Sequence, residues 1–198
     1  FVNDFLKNIL LWSIFPKEII VINTSNKKYD IDNFLLKKIK KKKISLKFIN
    51  KRNLYPGAAR NVGILNSKCS YIVFLDMNTL PYNKNWLKFN YEYLIKNKLD
   101  GVTGKTVYLA NNFVEKIIRA STYGKAGLTT IPGSIFTKKI IMKVGKFNSS
   151  SRAGEDTDWL KRLYNFKFKI KSSNNPLFYK GLYNTNFITI VKKWFRNY

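Results

Sequence analysis

Tyr71-Ile-Val-Phe-Leu-Asp76-Met-Asn78 is an unbroken apolar run that stops on a carboxylate. A run of this length reads as a strand covered on both faces, the way strands of parallel sheets are built. Upstream, Glu18-Ile-Ile-Val-Ile-Asn23 repeats the pattern and residues 44–49 supply another strand. Between these runs the period changes. Phe5, Leu6, Ile9 and Leu10 follow helical spacing over about 4–15 until Pro16, and Ile31, Phe34, Leu35 and Ile39 do so before the basic run 38–43. That run reads as a solvated helix end, with specific binding the lesser reading.

Downstream, Pro56-Gly57 opens a helix that runs through Leu65, and Trp86, Leu87, Tyr91 and Leu94 mark another. A strand is expected near 101–109, a short one at 134–136, a helix over 137–144, a helix from Glu155 to about Asn165 and a last strand at 167–170. Residues 178–198 are aromatic and basic without clear periodicity. Strands alternating with helices predict one α/β domain with a mixed, mostly parallel sheet flanked by helices. Ligands of such sheets bind beyond the carboxyl ends of the strands, where Asn23 to Ser25 and Asp76 to Asn78 lie.

Composition narrows the chemistry. The 198 residues hold 37 Lys and Arg against 11 Asp and Glu, a net charge of +26 that attracts phosphates and repels basic partners. The joint excess of Lys, Asn, Ile, Phe and Tyr also matches AT-rich coding, which competes as the source of that charge. Hydrophobic content of 45% excludes a disordered chain. No apolar run approaches the roughly 20 residues needed to span a bilayer. There is no His, and Cys69 is alone. His-dependent triads, His-ligated metals and intrachain disulfides are thereby excluded, which leaves carboxylates, Lys, Tyr and backbone amides.

Against that scarcity of acid, Glu155, Asp156 and Asp158 fall within four positions. On a helix, Asp156 shares an inward face with Leu160 and Leu163, whereas Asp158 lines up with Lys161, Arg162 and Asn165 on the wet face. Asp158 is therefore expected to pair with Arg162, an i,i+4 contact of a few tenths of a kcal/mol. Simpler readings stand beside the chemical one. Acids in a first helical turn are favoured by the helix dipole alone. Asp76 can merely cap a turn, and Arg60-Asn61 can be an exposed helix pair.

The order of parts resembles family 2 glycosyltransferases of the GT-A fold. The matching stretches are Pro16-Lys-Glu-Ile-Ile-Val-Ile-Asn23-Thr-Ser25, Pro56-Gly57-Ala-Ala-Arg60-Asn61-Val-Gly63-Ile, the Asp76-Met-Asn78 run, Pro132-Gly-Ser134-Ile-Phe136 and Val144-Gly145-Lys-Phe147-Asn through Gly154-Glu155-Asp156-Thr-Asp158. The resemblance implies a nucleotide-sugar donor, UDP-sugars favoured, with inversion at the anomeric carbon and a hydroxyl acceptor on a glycan or lipid-linked glycan. It implies a nucleotide-binding part over about 1–80 and an acceptor part over about 81–198. Donor contacts fall on Asn23, Ser25, Arg60 and Asp76, catalysis on Asp156 and Glu155, and a divalent metal (Mn2+ or Mg2+) on Asp76 and Asn78. Asp156 matches the general base; Glu155 either supports it or touches the acceptor.

The pattern departs from the family in places. Asn23 stands where the family usually has Asp. Asn78 replaces the second carboxylate of the Asp-x-Asp motif, so metal affinity is expected to be weakened. The family's opening strand and its Pro-Thr-Tyr-Asn-like loop are not present. The resemblance thus implies an N-terminally truncated domain with its first strand missing, poorly stable and inactive, since two apolar sheet edges are left open. Donor sugar and acceptor are expected to be set by 107–130 and the tail. The location implied is cytoplasmic; the tail residues Phe187, Trp194, Phe195 and Arg196 read equally as a peripheral contact to an anionic membrane and as core packing. Surface polysaccharide synthesis is the role expected. The alternatives are a donor-binding pseudoenzyme weakened by Asn78 and a charge-driven nucleic-acid binder, for which the sequence has no motif.

Overall fold

The computed structural model describes residues 2–27, 29–182, 188 and 191. Helix α1 (Val2–Ile9) buries Val2, Phe5, Leu6 and Ile9 on one face. It is shorter than the spacing over 4–15 predicts. After Ile9 the chain tightens, Leu11 N donating to Asn8 O and Trp12 N to Ile9 O, which turns Trp12 back onto Trp86 with ring centroids 5.6 Å apart. Strand β1 (Glu18–Asn23) follows, then α2 (Asn33–Lys41), whose Asp32 cap accepts from Phe34 N. β2 (Ser45–Asn50), α3 (Pro56–Asn66), β3 (Tyr71–Val73), β4 (Thr79–Leu80) and α4 (Trp86–Lys96) come next. The second half holds β5 (Gly101–Tyr108), α5 (Phe113–Ile118), a π-helical turn (Arg119–Tyr123) and β6 (Leu128–Thr137). It closes with α6 (Lys138–Val144), α7 (Glu155–Tyr164), β7 (Ile170–Ser172) and β8 (Leu177–Tyr179).

The architecture is mixed α/β, as expected, but the pairing differs in detail. β1 and β2 form a two-stranded parallel sheet in register from Glu18↔Ser45 to Asn23↔Asn50. The other six strands form a second sheet in the order β3-β6-β5-β8-β4, with β7 beside β5. Among the described residues β1 pairs only with β2 and β3 only with β6, so the expected single sheet is two. Antiparallel pairs (β3–β6, β5–β6, β4–β8) are as many as parallel ones (β1–β2, β5–β7, β5–β8), so the sheet is not mostly parallel. The short strand expected at 134–136 is the buried end of the ten-residue β6, and the last expected strand falls later, at β7. β8 overlaps the start of a tail that shows no periodicity, and most of that tail, Phe187, Trp194, Phe195 and Arg196 included, is outside the described residues.

Apolar contacts hold the two sheets as one body. Ile19 of β1 and Met77 pack both against the cluster built on Trp86, Leu94, Val102 and Ile135 and against the one built on Leu6, Leu35 and Ile39. A third cluster sets Phe136, Phe147, Trp159 and Leu163 beneath α3, α6 and α7. Here α3 is docked at very short range. A Cβ on Gly57 would stand 2.0 Å from Asn148 O, so only glycine admits the approach. Four residues on, buried Asn61 donates to Phe147 O (2.9 Å) and Ser149 Oγ (3.1 Å) and accepts from Phe147 N (2.9 Å). The Trp159 ring stacks on Phe147 at 4.9 Å and donates to Gly145 O. Together these contacts seat the first turn of α7 opposite the middle of α3.

Asn61→Ala would strand the buried Phe147 N–H and C=O, so a loss of about 2 kcal/mol or more of unfolding free energy is expected. Urea denaturation of the variant against wild type measures it; a loss under roughly 0.5 kcal/mol, the level of an ordinary surface change, contradicts this account.

Candidate active site

Arg60 projects from α3, one residue before the buried Asn61, and its side chain is only 10% exposed. Nη1 donates to Glu155 Oε1 at 2.8 Å and to Asp156 Oδ1 at 2.5 Å, and Nη2 lies 3.6 Å from Asp76 Oδ1. One guanidinium therefore gathers the turn after β3 and the first turn of α7, two places far apart in the chain. The exposed-pair reading of Arg60-Asn61 is overturned: both are largely buried, and both bind across the fold.

Each carboxylate is set by its backbone. Asp76 begins a turn closed by Thr79, whose N and Oγ1 both donate to Asp76 O at 2.9 Å. Asn78 sits exposed within that turn. Gly154 takes a left-handed conformation (φ 82°) just before α7, which redirects the chain so that Glu155 and Asp156 open the helix beside Arg60. Glu155 is buried on the guanidinium, and Asp156 Oδ2 also accepts from Ile131 N at 3.3 Å. Asp158 turns to solvent and pairs with Arg162 at 2.8 Å, as its helical position predicts.

Asn23 and Ser25 are brought together, but with each other. Asn23 is 4% exposed, and its side chain donates to Lys27 O and Asn50 Oδ1 while accepting from Ser25 N and Oγ. These bonds brace the loop after β1. The structure shows no contact from either residue to the Arg60 cluster.

Charge follows from burial. Loss of solvation pushes the Asp156 carboxyl up to about 6 against the pull of Arg60, with Glu155 and Asp76 adding repulsion. Asp76 keeps about half of its side-chain surface open (53%), yet it lies close enough between neighbouring walls that desolvation raises its carboxyl too, opposed by Arg60. Burial alone would weaken the Arg60 guanidinium's hold on its proton; the charges of Asp156, Asp76 and Glu155 more than reverse that.

Tyr108 is a residue the sequence reading missed as a site candidate. Pairing aligns Thr79 with Tyr179 and Tyr179 with Tyr108, a row that begins at the Asp76 turn. Tyr108 stacks on Tyr123 at 3.8 Å and meets Tyr179 edge-on at 5.2 Å. Its phenol is raised well above the usual range by burial first, then by Tyr123, Tyr179, Asp156 and Asp76, so its O–H stays intact beside the carboxylates. Its place at the carboxyl end of a strand was the available signal.

Two hollows of about 460 and 510 Å³ lie elsewhere, one lined by Tyr93, Asn97 and residues 168–171, the other by Lys7, Leu11, Phe34 and the α2 lysines. Among the described residues no helix is long and apolar enough to cross a membrane, and no group of three or more acidic or cysteine side chains is arranged to hold a metal ion.

The model of the family Glycosyl transferase family 2 matches residues 1–160. No curated protein matches the sequence. Among solved structures, Staphylococcus aureus TarS 1-349 in complex with UDP-GlcNAc superposes with a TM-score of 0.63 at 17% identity, over 91% of this chain and 54% of that one. A mannosyltransferase, PcManGT from Pyrobaculum calidifontis, in complex with GDP-Man and Mn2+, gives 0.60 at 12% identity, over 89% and 52%. The chain thus spans about half the length of these two compared chains, and a third of the longer TarS chain. At such identities the likeness is one of fold, the GT-A fold.

A carboxyl raised from 3.8 to about 6 favours the folded state while protonated, so its stabilising share is present below the lower value and is lost as pH rises through the upper one. Urea unfolding of wild type and Asp156→Asn across this window should show the wild type losing stability relative to the variant. A flat difference would mean that Asp156 titrates as an ordinary carboxyl.

Proposed function

The chain belongs to glycosyl transferase family 2, and from that premise we propose that its site transfers a sugar, with inversion, from a nucleotide-sugar donor to a hydroxyl acceptor. The observation that carries this reading is the single Arg60 guanidinium joining the Asp76 turn to Asp156. That contact brings the Asp76 turn and Asp156 to one guanidinium, which supports reading the first as the leaving-group side and the second as the base.

Asp156 is the base. Burial pushes its carboxyl up to about 6, which leaves it largely ionised at neutral pH and a stronger base than an ordinary aspartate. It takes the acceptor hydroxyl's proton as that oxygen bonds to the anomeric carbon. The bond from that carbon to the diphosphate breaks with its electron pair going to phosphate. Glu155 holds Arg60 and so keeps Asp156 in place. Asp76 and Arg60 face the donor, with the loop braced by Asn23 and Ser25 taking the base and ribose. Residues of about 1–80 are the nucleotide part and those of about 81–198, Tyr108 included, the acceptor part.

A divalent cation fits this site as a group brought in with the donor. Asp76 and the Asn78 side-chain carbonyl are the oxygen donors of the turn, and both residues are exposed. Bound there with the donor's diphosphate, the cation would supply charge to the leaving group. Manganese in the mannosyltransferase complex supports a metal of this kind, and UDP-GlcNAc, UDP and GDP-Man in the similar structures support a nucleotide-sugar. The acceptor is proposed to be a glycan or lipid-linked glycan of a surface polysaccharide, reached at the inner face of an anionic membrane.

Hydrolysis and transfer screened over UDP- and GDP-sugars, with and without Mn2+, test the reading on the full chain. Asp156→Asn should lower kcat by about 10²-fold or more while nucleotide affinity is kept. Nucleotide binding without turnover under any condition would leave a donor-binding protein in place of the enzyme.

A further inference from the structure

Two of the site's three carboxylates, Glu155 and Asp156, do not wait on a metal; they are already paired with a cation, and Asp76 lies at its edge. Nη1 of Arg60 lies within 2.8 Å of an oxygen of both Glu155 and Asp156, and Nη2 turns to Asp76. A small cation placed at Nη1 would have the same two anionic oxygens in reach, a pair that suits a hard divalent ion. Its helix is clamped by Asn61 and Gly57 against residues 147–149, the guanidinium lies 5.6 Å from the Phe147 ring, and its charge is permanent. What remains open is the outer side, where Asp76 and Asn78 are exposed but offer a single carboxylate between them.

We propose that Arg60 is the resident counter-cation of this site: it occupies the carboxylates of Glu155 and Asp156 in the free protein and leaves Asp76 as the one open carboxylate, so that a divalent cation is held only together with the diphosphate of a bound nucleotide. The inference rests on the transferase reading and deepens it by ordering the binding events, nucleotide with or before metal. Arg60 acts here through the carboxylates, as a positioning residue. A diphosphate adds anionic oxygens beyond the reach of the guanidinium, and these complete a coordination shell that Asp76 and Asn78 begin.

Titration of Mn2+ into the full chain, followed by the electron paramagnetic resonance of the free ion, tests the order. Wild type should take up Mn2+ at least about tenfold more tightly with UDP or GDP present than without, after correction for Mn2+ held by the nucleotide alone. Arg60→Met, which removes the charge and keeps much of the volume, should gain nucleotide-free uptake; Arg60→Lys, which keeps the charge, should not. Equal uptake by wild type with and without nucleotide overturns the proposal, as does a folded Arg60→Met that takes up no Mn2+ or an Arg60→Lys that matches it. If Arg60→Met does not fold, the wild-type titrations decide alone. Nucleotide binding that requires the metal already in place would sink this ordering and leave the transferase reading intact. Failure to bind UDP or GDP under every condition would sink both.

Discussion

A guanidinium buried among carboxylates is a costly thing to build, and the rest of this structure is arranged so that Arg60 can be one. Desolvating the charges opposes folding, and the pairing repays it only when the geometry is tight and the remaining polar groups are satisfied. Here Glu155 and Asp156 meet Nη1 at hydrogen-bond distance, and Ile131 N takes the other Asp156 oxygen. Three carboxylates on one guanidinium still leave an excess of negative charge if all are ionised. The upward shifts of Asp156 and Asp76 relieve it by letting protons return more readily. Burial first, and that excess second, make Asp156 a better base, so the cost of building the site and its proposed chemistry are linked.

The scaffold holds this arrangement from behind. Asn61 and Gly57 clamp α3 to the segment after α6, and Phe147 and Trp159 stack beneath the start of α7. The helices that carry the arginine and the acids are thereby held by contacts outside the Arg60 cluster. A chain with only 11 acidic residues places three of them on this one cation. The net charge of +26 gives the whole chain a field that attracts phosphates.

Much of the fold could be read along the chain. The apolar runs at β1, β2 and β3 and the helical spacings of α2, α3, α4 and α7 are local patterns, and they appear where expected. Asp158 could be assigned to Arg162 from helical spacing alone, because both ends of that contact lie on one helix face. The pairing of strands was less legible. Separate sheets for β1–β2 and for the other six strands depend on which edges meet, and no period encodes that. Strand β8 escaped because its neighbours are aromatic and basic throughout, and the inward set of a three-residue strand leaves almost no alternation to detect. Asn23 and Ser25 are donor contacts by resemblance; the structure adds that they hydrogen-bond to one another and that Asn23 also reaches Lys27 O and Asn50, which local pattern does not encode.

What the amino-acid order settled by itself was the kind of chemistry available: no imidazole, no thiol pair, acids clustered at one helix start and at one strand end. Residue type and spacing are enough for that, since periodicity acts over a few residues. Tertiary structure alone decided that Arg60 is the hinge of the site. Its partners at 155 and 156 lie 95 and 96 positions away, and only the docking of α3 against residues 147–149 brings them within hydrogen-bond reach. Coulomb attraction weakens with distance and with water, so it selects these partners only after the fold has removed both.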